Sequence, residues 1–264
     1  MLRELNKSDG ATIACHFTAG RSPTVVFLGG YASDMTGTKA MHLEAFCRER
    51  GQAYLRFDYQ GHGASSGAFV DGTIGTWADD ALFAIDQLTT GPLVLVGSSL
   101  GGWIMVLVAR RIADRVRALV GIAAAPDFTE DLVWRVLTPE QRRTLETEGI
   151  LYEPSEYQEE PLPVTLRLIE EAREHLVLTA PIDLHCPVRL IHGTDDHDVP
   201  WETSQRLMSA LRSSDVLLTL VKDGDHRLSD PRALHLLAET VVAASATGTE
   251  IAARPIDPTA TTES

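Results

Sequence analysis

Short runs of apolar, β-prone residues recur along the chain and predict a buried sheet. Most of the runs are continuous rather than alternating, as expected for strands that are covered on both faces. Amphipathic patterns between the runs predict helices, and repeated alternation of strand and helix is typical of a mostly parallel, doubly wound α/β sheet. The predicted strands are Thr12–Phe17, Thr24–Leu28, Gln52–Phe57, Leu93–Val96, Ala118–Ala123, Val188–Ile191 and Val216–Val221.

Two of the predicted helices carry start signals. Thr76, with Asp79 three positions later, has the spacing of a capping box. Asp230 followed by Pro231 supplies an N-cap and a proline at the first helical position. The helices predicted for the core are Lys39–Glu49, Thr76–Leu88, Trp103–Ile112, Glu202–Leu211 and Arg232–Ala244.

The segment between Pro126 and Pro187 interrupts the alternation, because it contains no convincing strand pattern. Amphipathic helices fit Phe128–Val136, Pro139–Glu148 and Thr165–Leu178 instead. Helices inserted between two strands of a parallel sheet predict a cap over the ligand-binding edge. We therefore expect an α/β core over residues 1–126 and 187–245 and a helical cap over residues 127–186. Residues 246–264, rich in Ala, Thr, Pro and Glu without periodicity, are expected to form a disordered tail.

The net charge of the chain argues against some classes of binding partner. The 264 residues include 23 Lys and Arg against 37 Asp and Glu, a formal net charge of −14. A surface this acidic repels phosphate backbones and anionic lipid headgroups, so we expect no nucleic-acid partner. The apolar runs are all shorter than the roughly 18 residues of a membrane span. One large domain with an insertion suits this length.

The cysteines and the N-terminal sequence give an expectation for the cellular location of the protein. Cys15, Cys47 and Cys186 are odd in number and far apart, which favours three reduced thiols over disulfides. The opening sequence MLRELNKSDG lacks the apolar segment of a secretory signal, so a cytoplasmic location is expected. No His, Cys and Asp cluster has metal-ligand spacing, and we expect neither a metal nor another cofactor.

Two stretches match Gly-x-Ser-x-Gly, the pattern of a nucleophile elbow. In such an elbow the serine occupies a sharp turn that joins a strand directly to a helix. Gly97–Gly101 meets this requirement, since an apolar strand ends at Val96 and an apolar helix follows at once. The second match, around Ser65, is followed by no helical pattern. We therefore predict Ser99 as the nucleophile and Ser65 as a loop residue.

A serine nucleophile needs a base, and the base needs an acid that orients it. In this architecture the chain order is Ser, then Asp or Glu, then His. Asp196 lies in an acidic loop after the strand Val188–Ile191, where Asp195 and Asp198 remain alternatives. Of the nine histidines, His226 alone follows both Ser99 and Asp196 and begins the loop after the next strand. The predicted triad is Ser99, Asp196 and His226.

A tetrahedral oxyanion requires two preorganised hydrogen-bond donors. The backbone N–H of Leu100, directly after the nucleophile, is predicted as one of them. The second is assigned to Tyr31, in the Gly29-Gly30-Tyr31 loop that follows the strand Thr24–Leu28. A plain tight turn without a ligand role remains the alternative for this loop.

The cap is the hardest segment to interpret. Trp134 in the cap and Trp201 in the core are candidate substrate contacts, although packing explains both equally well. Lys39, near a predicted helix start, could meet an anionic substrate, but we interpret it as a solvated side chain.

Together these motifs resemble the α/β-hydrolase family over nearly the whole chain, from Thr24 to Ala244. The shared marks are the Gly97–Gly101 elbow, the Asp58-x-x-Gly61-x-Gly63-x-Ser65 loop, the Gly193-x-x-Asp196-x-x-Val199-Pro200 loop and His226. The segments around Gly30–Ala40, Arg56–Tyr59 and Asp225–Arg227 are similar to a mitochondrial branch of acyl-glucuronide esterases and palmitoyl-protein thioesterases. This resemblance implies a serine hydrolase acting on small acyl esters or thioesters.

Other functions on this fold stay open. A serine at the elbow argues against haloalkane dehalogenases and epoxide hydrolases, which use a carboxylate there. A cofactor-free haloperoxidase or a C–C bond hydrolase could use the same three residues. A non-catalytic ligand-binding protein on a hydrolase fold is the alternative from another class, and covalent labelling of Ser99 would distinguish it.

Overall fold

A mixed sheet of eight strands forms the centre of the molecule in the computed structural model, which describes residues 2–153 and 161–246. The strands, in chain order, are β1 (Leu2–Asn6), β2 (Thr12–Thr18), β3 (Arg21–Leu28), β4 (Gln52–Phe57), β5 (Leu93–Ser98), β6 (Val116–Ile122), β7 (Ile150–Glu153), β8 (Leu162–Thr165), β9 (Val188–Gly193) and β10 (Val216–Val221). The helices are α1 (Thr38–Glu49), α2 (Ile74–Leu88), α3 (Leu100–Arg111), α4 (Pro139–Glu148), α5 (Leu166–Ala172), α6 (Glu202–Ala210) and α7 (Pro231–Ala246).

The sheet has the order β1-β2-β4-β3-β5-β6-β9-β10. Strand β2 pairs antiparallel with both β1 and β4, whereas every pairing from β4 through β3, β5, β6 and β9 to β10 is parallel. This confirms the predicted fold class. Because parallel strands end at the same edge, the loops that follow β3, β5, β9 and β10 meet there.

Two apolar clusters cover the two faces of the sheet. One is built around Trp77 in α2 and Trp103 in α3, and the other around Leu43 in α1 and Val241 in α7. Central strands β4 and β5 are buried along their whole length. This explains the continuous apolar sequence of β5, whereas β4 also buries Arg56, which pairs with the buried Glu44. The edge strand β10 instead exposes part of its side chains, including Leu217.

Several element boundaries differ from those predicted. Strand β1 was not predicted, and it pairs with β2 to extend the antiparallel end of the sheet. Helix α2 begins two residues before the predicted start, with Thr73 as its N-cap accepting a hydrogen bond from the Thr76 N–H. The predicted capping box of Thr76 and Asp79 is therefore wrong, and Asp79 pairs with Arg111 instead.

The predicted start of α7 is confirmed. The Asp230 carboxylate accepts hydrogen bonds from the N–H groups of Arg232 and Ala233, at 2.8 and 3.2 Å. Helix α7 ends at Ala246, and the rest of the predicted tail lies outside the described residues.

The chain between β6 and β9 forms a separate layer that we call the cap. It contains a π-helical turn over Thr129–Trp134, helices α4 and α5, and the antiparallel hairpin of β7 and β8. The prediction of a cap without strands is wrong. Each hairpin strand has only four residues, and Pro163 interrupts the β-prone pattern of β8, so neither produced a readable periodicity.

A single carboxylate holds the beginning and the end of the cap together. Asp127 accepts hydrogen bonds from the backbone N–H groups of Val177 and Leu178, both at 2.8 Å. Asp127 is buried and has a positive φ of 60°. Within the described ranges, none of the helices combines the length and the hydropathy that crossing a bilayer requires.

Candidate active site

Ser99 occupies the turn between β5 and α3, with φ 54° and ψ −121°. A non-glycine residue rarely adopts this conformation, and such strain concentrates at functional sites. The two glycines of the motif are needed for space. A Cβ atom on Gly97 would lie 2.3 Å from the Gly101 carbonyl oxygen, and one on Gly101 would lie 2.1 Å from the Leu28 carbonyl oxygen. The motif thus supplies a tight turn that presents one serine.

Ser65, the second match to the motif, has a structural environment. Its Oγ accepts a hydrogen bond from the Ala14 N–H at 2.8 Å and donates to the Asp58 carbonyl at 2.7 Å. These bonds join the loop after β4 to β2. Ser65 does not line the cavity that contains Ser99.

The structure brings Ser99, Asp196 and His226 into one hydrogen-bonded chain. The Nε2 atom of His226 lies 3.0 Å from Ser99 Oγ, and its Nδ1 atom lies 2.8 Å from Asp196 Oδ2. Because Asp196 accepts a hydrogen bond from Nδ1, the proton of a neutral imidazole belongs there, and Nε2 is then the acceptor that faces the serine hydroxyl. The three residues follow β5, β9 and β10, at the shared edge of the sheet.

Both carboxylate oxygens of Asp196 have hydrogen-bond partners. Its Oδ1 accepts from the N–H groups of Asp198 and Val199, and its Oδ2 lies near both His226 and His192. Burial alone would raise the pKa of this carboxyl, but the hydrogen bonds from His192 and His226 hold the pKa well below its usual range. The alternative Asp195 is exposed, 3.6 Å from His197.

His192 is the residue of this site that the sequence analysis missed. Its side chain is fully buried, with Nε2 3.0 Å from Asp196 Oδ2 and 2.9 Å from the Val199 carbonyl oxygen. Since both are acceptors, Nε2 carries the proton, and Nδ1 accepts from the Ser204 hydroxyl at 2.7 Å. A histidine at the end of a buried strand, four residues before the acid, is the signal that could have identified it.

Two backbone donors face the same cavity as Ser99. Tyr31 and Leu100 both line it, and within residues 2–153 and 161–246 neither N–H donates to a protein acceptor. The loop after β3 passes close to the nucleophile, because a Cβ atom on Gly30 would lie 3.4 Å from the Ser99 Cβ. The binding of an oxyanion beside Ser99 by these two N–H groups stays a prediction.

The cavity has a volume of about 390 Å³, and its walls differ in character. The cap supplies an apolar side formed by Phe128, Leu132, Val133, Leu162 and Val164. Charged side chains that line it include Asp34, Lys39, Asp198 and Arg227 from the core and Glu153 from the cap.

Trp134 and Trp201, the predicted substrate contacts, are not among the residues that line this cavity. The guanidinium groups of Arg142 and Arg173 lie over the Trp134 ring, 5.2 and 4.8 Å from its centroid. These cation–π contacts hold the ring within the cap. Trp201 directly precedes α6.

Lys39 is not the solvated side chain that we predicted. It lines the cavity, and its Nζ donates a hydrogen bond to the backbone carbonyl of Arg227. Burial, together with the charge of Arg227, lowers the pKa of Lys39 to about 8, although Asp225 acts in the opposite direction.

Asp196, Asp198 and His226 offer ligand atoms within 4.8 Å of one another, which is the geometry of a possible cation site. Both ring nitrogens of His226 already face Asp196 and Ser99. A metal on this group would compete with those hydrogen bonds.

The fold and the elbow define the class of protein. A model of the alpha/beta hydrolase family matches residues 25–243, and the chain belongs to this family. It is 41% identical over 238 residues to the human mitochondrial palmitoyl-protein thioesterase ABHD10, covering 90% of this chain and 78% of that protein.

Two solved structures are similar over nearly their full length. A putative hydrolase from Agrobacterium vitis S4 has a TM-score of 0.89 and 40% identity, covering 93% of this chain and 98% of that one. The mouse alpha/beta hydrolase domain-containing protein 10 has a TM-score of 0.86 and 39% identity, covering 92% of this chain and 97% of that one.

The comparisons contradict the predicted cytoplasmic location. The similar proteins from human, Bos taurus and Mus musculus are all named as mitochondrial. The prediction used the composition of the N-terminal segment and the number and spacing of the cysteines, which do not by themselves identify a compartment.

Proposed function

We propose that this protein hydrolyses carboxylic esters or thioesters of acyl substrates, with Ser99 as the nucleophile. The observation that carries the proposal is the hydrogen-bonded chain from Ser99 through His226 to Asp196, in a cavity that Tyr31 and Leu100 also line. The relatives named as palmitoyl-protein thioesterases support an acyl thioester as one substrate class.

The first half of the reaction forms an acyl-enzyme. His226 Nε2 takes the Ser99 proton as Oγ attacks the carbonyl carbon, and the N–H groups of Tyr31 and Leu100 stabilise the resulting oxyanion. Asp196 keeps the His226 ring oriented and stabilises the imidazolium. The tetrahedral intermediate then breaks its C–O or C–S bond, and the alcohol or thiol leaves with the proton from His226.

The second half releases the acid. His226 takes a proton from a water molecule as that water attacks the acyl carbon of the ester on Ser99. A second oxyanion forms at the same two N–H groups. When this intermediate collapses, the carboxylic acid departs and His226 returns the proton to Ser99 Oγ.

The walls of the cavity indicate where the parts of the substrate bind. The apolar side formed by the cap suits a hydrocarbon acyl chain, because burying it there removes apolar surface from water. The charged sides, with Lys39 and Arg227, suit a polar alcohol or thiol portion.

The test compares Ser99→Ala with the wild-type protein on p-nitrophenyl esters and matched acyl thioesters of increasing chain length. We expect Ser99→Ala to lower kcat by several orders of magnitude while the thermal transition is preserved. Labelling by a fluorophosphonate probe is expected in the wild-type protein and absent in the variant. Wild-type turnover in Ser99→Ala, or the absence of ester and thioester hydrolysis in the wild-type protein, would contradict the proposal.

A further inference from the structure

The side chain of Tyr31 joins the loop after β3 to the cap. Its phenol O–H donates to the backbone carbonyl of Pro163 in β8, with 2.5 Å between the two oxygens. The two residues are 132 positions apart in the chain. One residue therefore contributes its backbone to the wall beside Ser99 and its side chain to a contact with the cap.

Aromatic neighbours hold the Tyr31 ring in this position. Phe69, Trp77 and Phe128 meet it edge to face, with ring centroids 4.8, 5.9 and 5.7 Å away. Such pairs favour one relative orientation of the rings. Burial also raises the pKa of the phenol far above its usual value, so the group remains a protonated donor at physiological pH.

Pro163 belongs to the hairpin that covers the cavity. In the hairpin register Pro163 faces Tyr152, and the adjacent residues Glu153, Leu162 and Val164 line the cavity. A substrate group in the apolar part of the cavity would therefore contact the same hairpin to which the Tyr31 hydroxyl is hydrogen-bonded.

We propose that Tyr31 is a positioning residue whose side chain ties the loop beside Ser99 to the cap hairpin, so that the docked hairpin holds the Tyr31 N–H toward the oxyanion. This proposal rests on the proposed function. It assigns to the hairpin a role in the rate of acyl transfer as well as in binding. An acyl chain long enough to pack against Leu162 and Val164 supports the docked hairpin, whereas an acetyl group leaves this support to the Tyr31 hydrogen bond.

The test is Tyr31→Phe in the full chain, because this change keeps the ring and the backbone N–H and removes only the hydroxyl. We expect kcat for p-nitrophenyl acetate to fall roughly tenfold, less than the loss caused by deleting an oxyanion donor, with KM changed by less than about twofold. The loss for p-nitrophenyl octanoate is expected to be clearly smaller. Rates are expressed per active site titrated with a fluorophosphonate, so that a misfolded fraction does not count.

Tyr54→Phe is the matched control. Tyr54 is also buried, and its O–H donates to the Ala40 carbonyl at 2.8 Å without touching the cap. This variant loses the same kind of bond, and its kcat per active site is expected to match that of the wild-type protein. The proposal is wrong if kcat of Tyr31→Phe matches that of Tyr54→Phe, or if kcat of Tyr31→Phe falls by the same factor with the acetate and the octanoate ester.

An alkyl boronic acid gives a second readout, since its tetrahedral adduct with Ser99 places an oxygen at the two N–H groups. Its inhibition constant is expected to rise in Tyr31→Phe by the factor by which kcat/KM for the acetate ester falls. In the wild-type protein, the adduct of octylboronic acid is expected to slow hydrogen exchange at the amides of residues 162, 164 and 165. If the adduct left hydrogen exchange at these amides unchanged, the proposed coupling between the cap hairpin and the site would be wrong. This readout uses the wild-type protein, so it holds even if Tyr31→Phe does not fold. A wild-type protein without esterase activity would refute the proposed function instead.

Discussion

His192 and Asp196 form a fully buried pair in which Nε2 of the ring lies 3.0 Å from Oδ2 of the carboxylate. The same oxygen lies 2.8 Å from Nδ1 of His226. Asp196 thus has a second histidine partner, His192, whose other ring nitrogen accepts a hydrogen bond from the Ser204 hydroxyl. The position of the acid depends on a residue that does not face the cavity.

Substitution of His192 is therefore expected to impair turnover. A hydrogen bond to a charged group contributes about 1.5–3 kcal/mol, and about 1.4 kcal/mol is a factor of ten in rate. We expect His192→Leu to lower kcat roughly tenfold to a hundredfold with little change in KM. His192→Gln, whose amide N–H₂ can donate from nearly the same position, is expected to recover much of the loss. Equal kcat values per active site in both variants and the wild-type protein would show that His192 is only structural.

Ser65→Ala is expected to lower stability rather than activity. The change leaves the Ala14 N–H without its acceptor in a largely buried position, which costs about 1–3 kcal/mol. We expect a lower midpoint of chemical denaturation, with kcat retained in the folded fraction. A large loss of kcat at unchanged stability would return Ser65 to the list of candidate nucleophiles.

Lys39 is expected to make stability depend on alkaline pH. The pKa of Lys39 falls from 10.5 to about 8 in the folded protein, so between these values the unfolded chain binds more protons and stability rises with pH. Lys39→Met removes the buried charge and is expected to raise Tm at pH 7. This gain is expected to shrink as pH rises from 8 toward 10.5. Lys222→Met, at an exposed position, is the control, and a pH-independent gain in Lys39→Met would contradict the interpretation.

The cysteines are expected to be unreactive in the folded protein. Burial raises the pKa of Cys47 to about 12 and that of Cys186 to about 11, and it also raises the pKa of Cys15. Because the thiolate is the reactive form, little of it exists near neutral pH. We expect an aromatic disulfide reagent at pH 8 to label the native chain slowly and all three thiols promptly in guanidinium. Rapid labelling of the native protein that disappears in Cys186→Ala would identify the half-buried Cys186 as the exception.

The elements of the core were predictable because their signals are local. The apolar run of β5 and the Gly97–Gly101 motif fall within short stretches, and burial on both faces keeps the run continuous. Ser99, Asp196 and His226 could be placed together because the parallel strands that precede them end at one edge of the sheet. The roles assigned to these residues remain predictions.

The missed features depend on contacts between distant parts of the chain. Tyr31 meets Pro163 across 132 residues, and nothing near either residue signals that bond. Trp134 was a candidate for the cavity because it is a large aromatic residue in the cap, but two arginines from other parts of the cap flank it. The hairpin strands β7 and β8 are too short to show a period, so packing rather than intrinsic propensity determines them.

The hydrogen bonds from the Val177 and Leu178 N–H groups to Asp127 fix the two ends of a segment that could be exchanged for another. Asp127 lies near the beginning of the cap and Val177 and Leu178 lie toward its end, and one carboxylate joins these points. The entropic cost of closing a loop between fixed ends grows only with the logarithm of its length, so an insertion of another size could span the same anchors. Ser99, Asp196 and His226 all lie outside this segment of residues 127–178. Under the proposed function, a different cap would change the acyl groups that fit while Ser99, Asp196 and His226 stay in place, provided that it keeps an acceptor for the Tyr31 hydroxyl.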